Sequence, residues 1–246
     1  MEEWWRRFGE YYVLAKEIAQ LDAAADAEAE AVWKLLGLDP GAKILDAPCG
    51  FGRHAVRLAT WGFDVWGIDV DTNLIAQARE RAQESGIDIR LDEGDLRNLP
   101  VPDGWANAVL NLSSSIGMFE SEHDNQKIFS EASRVLAPGG VFVIESTHRD
   151  REARRTPSSS FAEREGTLIL HERALDMDQG RLTSNLTIVD PDGSRTELSQ
   201  RPRVYAISEL LGELTNSGFA TATAHCGWRG DDPDLDERVI VVAKKP

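Results

Sequence analysis

Cysteine is scarce. Cys49 and Cys226 are the only two in 246 residues, too few and too far apart for a disulfide framework or a regularly spaced zinc site. The expectations are therefore a reducing, cytoplasmic setting and no metal centre. Long apolar runs are missing too: no stretch approaches the ~20 residues that a membrane-spanning helix needs. The opening "MEEWWRRFGEYY" is acidic and amphipathic with no apolar segment behind it, which predicts an unprocessed, soluble chain with no membrane partner. Basic residues are the third shortage, 27 Lys and Arg against 42 Asp and Glu, for a net charge of -15. Such a balance repels a phosphate backbone at long range, so nucleic acid is not the expected partner and a small molecule is. Internal repeats and low-complexity tracts are absent as well.

What is present is a chain long enough to bury a sizeable core. Trp5, Phe8, Tyr12, Ala15 and Ile18 recur at helical spacing, and Asp22 precedes an alanine-rich run ending in "VWKLLGL", so residues 1–40 read as a cap of two helices. From "KILDAP" onward, short apolar runs alternate with helical patterns. The strand candidates are "KILDAP", "FDVWGID", "IDIRLDEGD", "ANAVLNLS" and "GVFVIES". In the last intervening helix, Ile128, Phe129, Ala132, Val135 and Leu136 share a face that Pro138 and two glycines stop. This alternation predicts an α/β fold, a doubly wound parallel sheet with helices on both faces, over residues 41–150. Residues 151–205 read as an inserted antiparallel meander, with two strand-like runs and the start of a third around "MDQG" and "DPDG". A helix in "SELLGELTNSGF", with Ser208 as its N-cap, and strands ending in "RVIVVAKK" complete the sheet over residues 206–246.

The stretch "ILDAPCGFGRHA", residues 44–55, carries the chemistry. Gly50, Gly52 and Ala55 meet the G-x-G-x-x-G/A spacing after a strand and before a helix, and Asp69 ends the next strand about 20 residues on. Taken alone, that fits a nicotinamide dinucleotide and an NAD-dependent oxidoreductase. Asp46, however, sits four residues before the first glycine and would be an awkward neighbour for a diphosphate. A cationic sulfonium nucleoside with an ammonium group would welcome it. Further on, Asp95 in "EGDLRNLP" can accept from an adenine amine while Leu96 packs on the ring, and Asn111 ends the fourth strand at the crevice edge.

With "ILDAPCGFGRHAVRLA", "VWGIDVD", "EGDLRNLP", "WANAVLNLSSSIGMF" and "RVLAPGGVFVIES" in this order across residues 43–146, the chain resembles the class I S-adenosylmethionine-dependent methyltransferases. The departure is Pro48, where the family more often has a small residue. The resemblance implies a seven-stranded Rossmann-like sheet with its last strand antiparallel, and S-adenosylmethionine as cofactor. It places the methionine end on Asp46, Ala47, Gly50 and Gly52, the ribose on Asp69 with Val70 beside it, the adenine on Asp95 and Leu96, and Asn111 next to the transferable methyl. The N-terminal "WWRRFGEYY" and the stretch from "LHERALD" through "RVYAISELLGELTNSGF" resemble a bacterial subgroup of small-molecule-type methyltransferases. The expected reaction is O-, N- or C-methylation of a small acceptor by a monomer or homodimer, with the cap and the meander forming the acceptor pocket and lid. A binding protein that keeps the cofactor fold without catalysis is the third reading.

Other side chains divide between function and packing. Arg53 and His54 either reach the cofactor carboxylate or lie on a solvated helix face, and Cys49 fits the turn by its small size. Trp4 and Trp5 read as an aromatic stripe that packs the cap, while Tyr11 and Tyr12 could reach the cofactor or substrate. If a proton must be removed, His148 after the fifth strand and Tyr12 are the catalytic candidates. Arg149, Arg151, Arg154 and Arg155, interleaved with Asp150 and Glu152, read as a solvated loop. His171, Arg203 and Tyr205 are possible pocket residues on or beside the meander.

Overall fold

Helix α1, Ile18–Leu36, buries Ala25, Ala29, Val32 and Leu36, residues spaced by four, three and four, and stops where Gly37 turns to φ +60. It runs unbroken through Asp22, where the sequence suggested a second helix would begin. Asp22 instead pairs with Arg81, 2.8 Å away. In the computed structural model of the protein, the described residues are Gly9, 18–228 and 236–246. Trp4, Trp5, Tyr11 and Tyr12 lie outside them.

The main sheet contains β1 (Lys43–Asp46), β2 (Asp64–Asp69), β3 (Arg90–Glu93), β4 (Ala106–Asn111), β5 (Leu136–Ser146), β10 (Thr221–Cys226) and β11 (Val239–Lys244), in the order β10-β11-β5-β4-β1-β2-β3. β3, β2, β1, β4 and β5 are mutually parallel, while β11 runs antiparallel to both β5 and β10. Period-two alternation sorts the side chains onto two faces. Leu45, Trp66, Val109, Phe142 and Ile144 face helices α4 (Glu122–Val135) and α6 (Ile207–Asn216), through Phe129, Ala132, Leu210 and Leu214. Ile44, Val65, Ala108, Leu110 and Val143 face α1, α2 (Ala55–Thr60) and α3 (Thr72–Glu84), through Val32, Leu58, Ile75 and Ala78. Two cores on one sheet are what the unbroken apolar strands required.

Order 4-1-2 within this sheet puts the reversal of strand order between the parallel neighbours β1 and β4, so a crevice opens beyond their carboxyl ends. α4 ends at Val135, one residue before the expected Leu136, which already adopts extended angles (φ -70, ψ 137) as β5 begins. The next residue, Ala137, precedes Pro138 and is biased away from helix.

Beyond β5 the chain departs from expectation in two places. Residues 149–155 are a helix, α5 (Arg149–Arg155), rather than a solvated loop, because Glu152 is fully buried and gathers Thr147, Arg151 and Arg173 around its carboxylate. The meander has four strands, β6 (Ser158–Arg164), β7 (Thr167–Asp176), β8 (Arg181–Val189) and β9 (Arg195–Gln200), joined side by side in chain order. β6 was not foreseen. Its "SSSFAER" is mostly exposed and offers no apolar alternation to read. No described helix is long and apolar enough to cross a membrane.

Candidate active site

A cavity opens at the carboxyl ends of β1, β2 and β4, with Leu21 of α1 and Gly9 on its N-terminal side. Gly50, Asp69, Val70, Asp95 and Leu96 all line it. Gly50 takes φ +54, and the place where a Cβ would sit is open space, so its backbone is bare toward a ligand. Asp69 ties that turn to β2: its Oδ2 accepts from the Gly50 N–H (2.8 Å) and its Oδ1 from the Asp71 N–H (2.9 Å). Burial raises the Asp69 carboxyl to about 6 although these two donors oppose it.

Asp46, Ala47, Gly52 and Asn111 are not on the cavity wall. Gly52, at φ +78, is there for close approach, since a Cβ would come within 2.9 Å of the Ala78 Cβ on α3. Asn111 is buried beneath the turn, its Nδ2 donating to the Ala47 carbonyl at 2.9 Å. Asp46 is 1% exposed and neither carboxylate oxygen has a hydrogen-bond partner of good geometry. Burial pushes it up to about 7; the Arg53 charge opposes the shift and the Asp69 charge adds to it. These residues support the floor of the site rather than form its surface. Asp95 does reach the wall, but Arg97 grips its carboxylate as a fork at 2.7–3.1 Å, a neighbour that the sequence reading did not weigh.

Arg53 and His54 are buried in the cavity wall rather than spread on a solvated face. His54 Nε2 and Arg53 both bond Glu28 of α1, the former at 2.9 Å, and Arg53 also donates to the Leu21 carbonyl (3.2 Å) and to Ser113 Oγ (3.0 Å). Burial holds the His54 imidazole below its usual range. Burial pushes Glu28 upward, but its bonds to His54 and Arg53 and their charges bring it below the usual carboxylate range. Cys49 packs its Sγ where a Cβ on Gly67 would fall, 3.0 Å away, and burial pushes its thiol up.

His148 is not at the cavity. It is fully buried as the N-cap of α5, with Nδ1 accepting from the Arg151 N–H at 3.3 Å, so that nitrogen is committed to a helix end. His171 bonds Ser184 across β7 and β8 at 2.7 Å. Arg203 and Tyr205 line a separate groove with Glu122 and Glu209, the Tyr205 hydroxyl donating to Glu122 Oε1. The arginines of α5 serve packing: Arg149 reaches Glu209, Arg151 reaches Glu152, and Arg154 and Arg155 approach Asp236. Sequence reasoning passed over Glu28, Ser113 and Glu145, whose contacts around this cavity join segments 25 to 60 residues apart in the chain.

Residues 44–140 match a methyltransferase domain family. YqeM of Bacillus subtilis, a protein named as a methyltransferase, is 24% identical over 218 residues, 87% of this chain and 88% of that one. A Mycolicibacterium smegmatis protein named as an S-adenosylmethionine-dependent methyltransferase is 35% identical over 127 residues, 51% of this chain and 46% of the other. In fold, the chain superposes on the crystal structure of an S-adenosylmethionine-dependent methyltransferase from Clostridium acetobutylicum with a TM-score of 0.81 at 15% identity, covering 97% of this chain and 98% of that one. The match spans the strands that frame the cavity, and it sets aside the dinucleotide reading of the glycine spacing. With its seven-stranded sheet, its bare glycine turn and these likenesses, the chain carries a methyltransferase domain over residues 44–140 and has the fold of the S-adenosylmethionine-dependent methyltransferases.

Proposed function

We propose that the protein methylates an oxygen, nitrogen or carbon nucleophile of a small-molecule acceptor, with S-adenosylmethionine held in the cavity lined by Gly50, Asp69, Val70, Asp95 and Leu96. The observation that carries this reading is the convergence of two strand-end acids and a bare glycine turn on one cavity beside the N-terminal helix. The residues suit the cofactor. Asp69 brings a carboxylate to the cavity for the ribose hydroxyls, Asp95 brings one for the adenine amine beside the apolar Leu96, and buried Asp46 supplies latent negative charge beneath a cationic ligand. Arg53 offers a cation on the same wall for the methionine carboxylate.

S-adenosylmethionine supplies an already activated methyl group on a cationic sulfur. The protein's own task is then alignment and exclusion of water. Leu21 of α1 on one side and Met118 and Phe119 on the other give the cavity apolar walls. In this reading residues 1–40 and 151–205 are the variable parts that select the acceptor, set around a nucleoside-binding core. No histidine base is assigned, because His148 is committed to its helix cap.

The test is turnover. Release of S-adenosylhomocysteine from S-adenosylmethionine is followed in the presence of pooled small amines, phenols, sugars and carboxylates, with transfer RNA and a protein lysate as separate arms. Acceptor-dependent release with a small-molecule pool supports the proposal. Release only with RNA or protein overturns it.

A further inference from the structure

Among the described residues, three that are not glycine adopt positive φ, and two of them are adjacent: Ser113 at +65 and Ser114 at +63. They follow β4, and Ser113 lines the cavity. Left-handed backbone is costly for a serine and persists only where the surroundings hold it. Here the holding group is identifiable. Glu145, 4% exposed near the end of β5, accepts the Ser113 N–H on Oε2 at 2.6 Å, and its main-chain carbonyl accepts the Ser114 N–H at 2.9 Å. Arg238 donates to the other carboxylate oxygen at 2.9 Å. From the cavity side, Arg53 Nη2 donates to Ser113 Oγ, and just past β5 the Thr147 N–H donates to Ser114 Oγ.

We propose that Glu145 is a positioning residue for the methyl-transfer site: its carboxylate, outside the cavity, holds Ser113 in the left-handed conformation that presents this segment to the cofactor. A charge-assisted bond from a buried carboxylate is strong enough to offset the backbone cost, and Arg238 anchors the carboxylate from behind. The inference rests on the cofactor occupying this cavity.

The experiment is a double-mutant cycle read by S-adenosylhomocysteine binding in calorimetry, with thermal unfolding measured alongside. Glu145→Ala is expected to weaken S-adenosylhomocysteine about tenfold. In a Ser113→Gly background, where glycine takes positive φ without help, the same change is expected to cost less than about twofold. A merely structural role for Glu145 would give equal losses in both backgrounds, and that result overturns the proposal, as does unchanged affinity in Glu145→Ala. If Glu145→Ala does not fold, Glu145→Gln carries the same cycle: a loss in the serine background that the glycine background abolishes is the supporting result, and equal effects in the two are the contrary one. Asp69→Ala runs in parallel. Should it leave binding intact, the cofactor placement fails; should it weaken binding while the Glu145 cycle shows no coupling, only the positioning role fails.

Discussion

Asp46 is the most consequential single residue in the site, although no cavity surface belongs to it. Its buried carboxylate has a folded-state pKa of about 7 against an ordinary 3.8. Between those values the folded chain binds more protons than the unfolded one, so this group's contribution to stability falls as pH rises from about 4 to 7 and stays unfavourable above. Asp46→Asn removes the dependence. The stability of the variant relative to wild type is predicted to climb across that interval, reaching a few kcal/mol, on the order set by 1.36 kcal/mol per pKa unit, by neutral pH. Urea unfolding at pH 4, 5.5 and 7.5 checks it, and a constant difference would show that Asp46 is ionised in the folded protein throughout. Asp69, raised to about 6 by burial, is coupled to Asp46 by charge, so the pH dependence belongs in part to the pair. The sequence marked Asp46 as a strand-end acid and weighed it for charge. It could not show that the side chain points into the core beneath the turn, because a four-residue strand does not reveal which neighbours its last residue meets.

At the scale of elements, legibility followed periodicity. The strands of the parallel sheet are apolar runs, and α4 repeats its apolar face at 3.6, so both were readable. β6 and α5 were not. β6 is an exposed edge of serines, and α5 is held by the buried Glu152, whose partners Thr147 and Arg173 lie 5 and 21 residues away. The docking of α1 was equally hidden. Its acids face Arg57, Arg81, Arg53 and His54 of the core, pairings between residues 25 to 59 positions apart. Of these, Glu28 is the most enclosed at 20% side-chain exposure and serves two donors. Glu28→Ala leaves Arg53 and His54 without their carboxylate partner, and we expect a loss of roughly 3 kcal/mol in urea unfolding, at the low end for breaking a buried pair. Glu30→Ala on the same helix is the control: its partner Lys34 is 73% exposed, and the pair is worth about 0.5 kcal/mol or less. Equal effects of the two substitutions would mean that α1 is held by its apolar face alone.

For the whole molecule, the parts arrange themselves as a generic core and particular additions. The parallel sheet brings a bare glycine turn, Asp69 and Asp95 to one crevice, and this portion was legible because strand ends, glycine spacing and acids share one local grammar. The additions are α1, α5 and the four-stranded sheet, placed by contacts far apart in sequence. His148 shows the difference: its position after β5 suggested a catalytic base, while the helix that follows it, invisible in the local pattern, takes its ring as a cap. The parts proposed to select the acceptor therefore lie where sequence patterns say least. In the proposed arrangement the nucleoside cofactor is held at this crevice with Asp69 on its ribose. It is tested most directly by calorimetric titration of the intact protein and of Asp69→Ala with S-adenosylhomocysteine, with NAD as the competing ligand. Wild type is expected to bind S-adenosylhomocysteine and the variant to lose about 1.5–3 kcal/mol, the worth of a charge-assisted hydrogen bond; equal affinity in the two proteins, or binding of NAD alone, would overturn this placement.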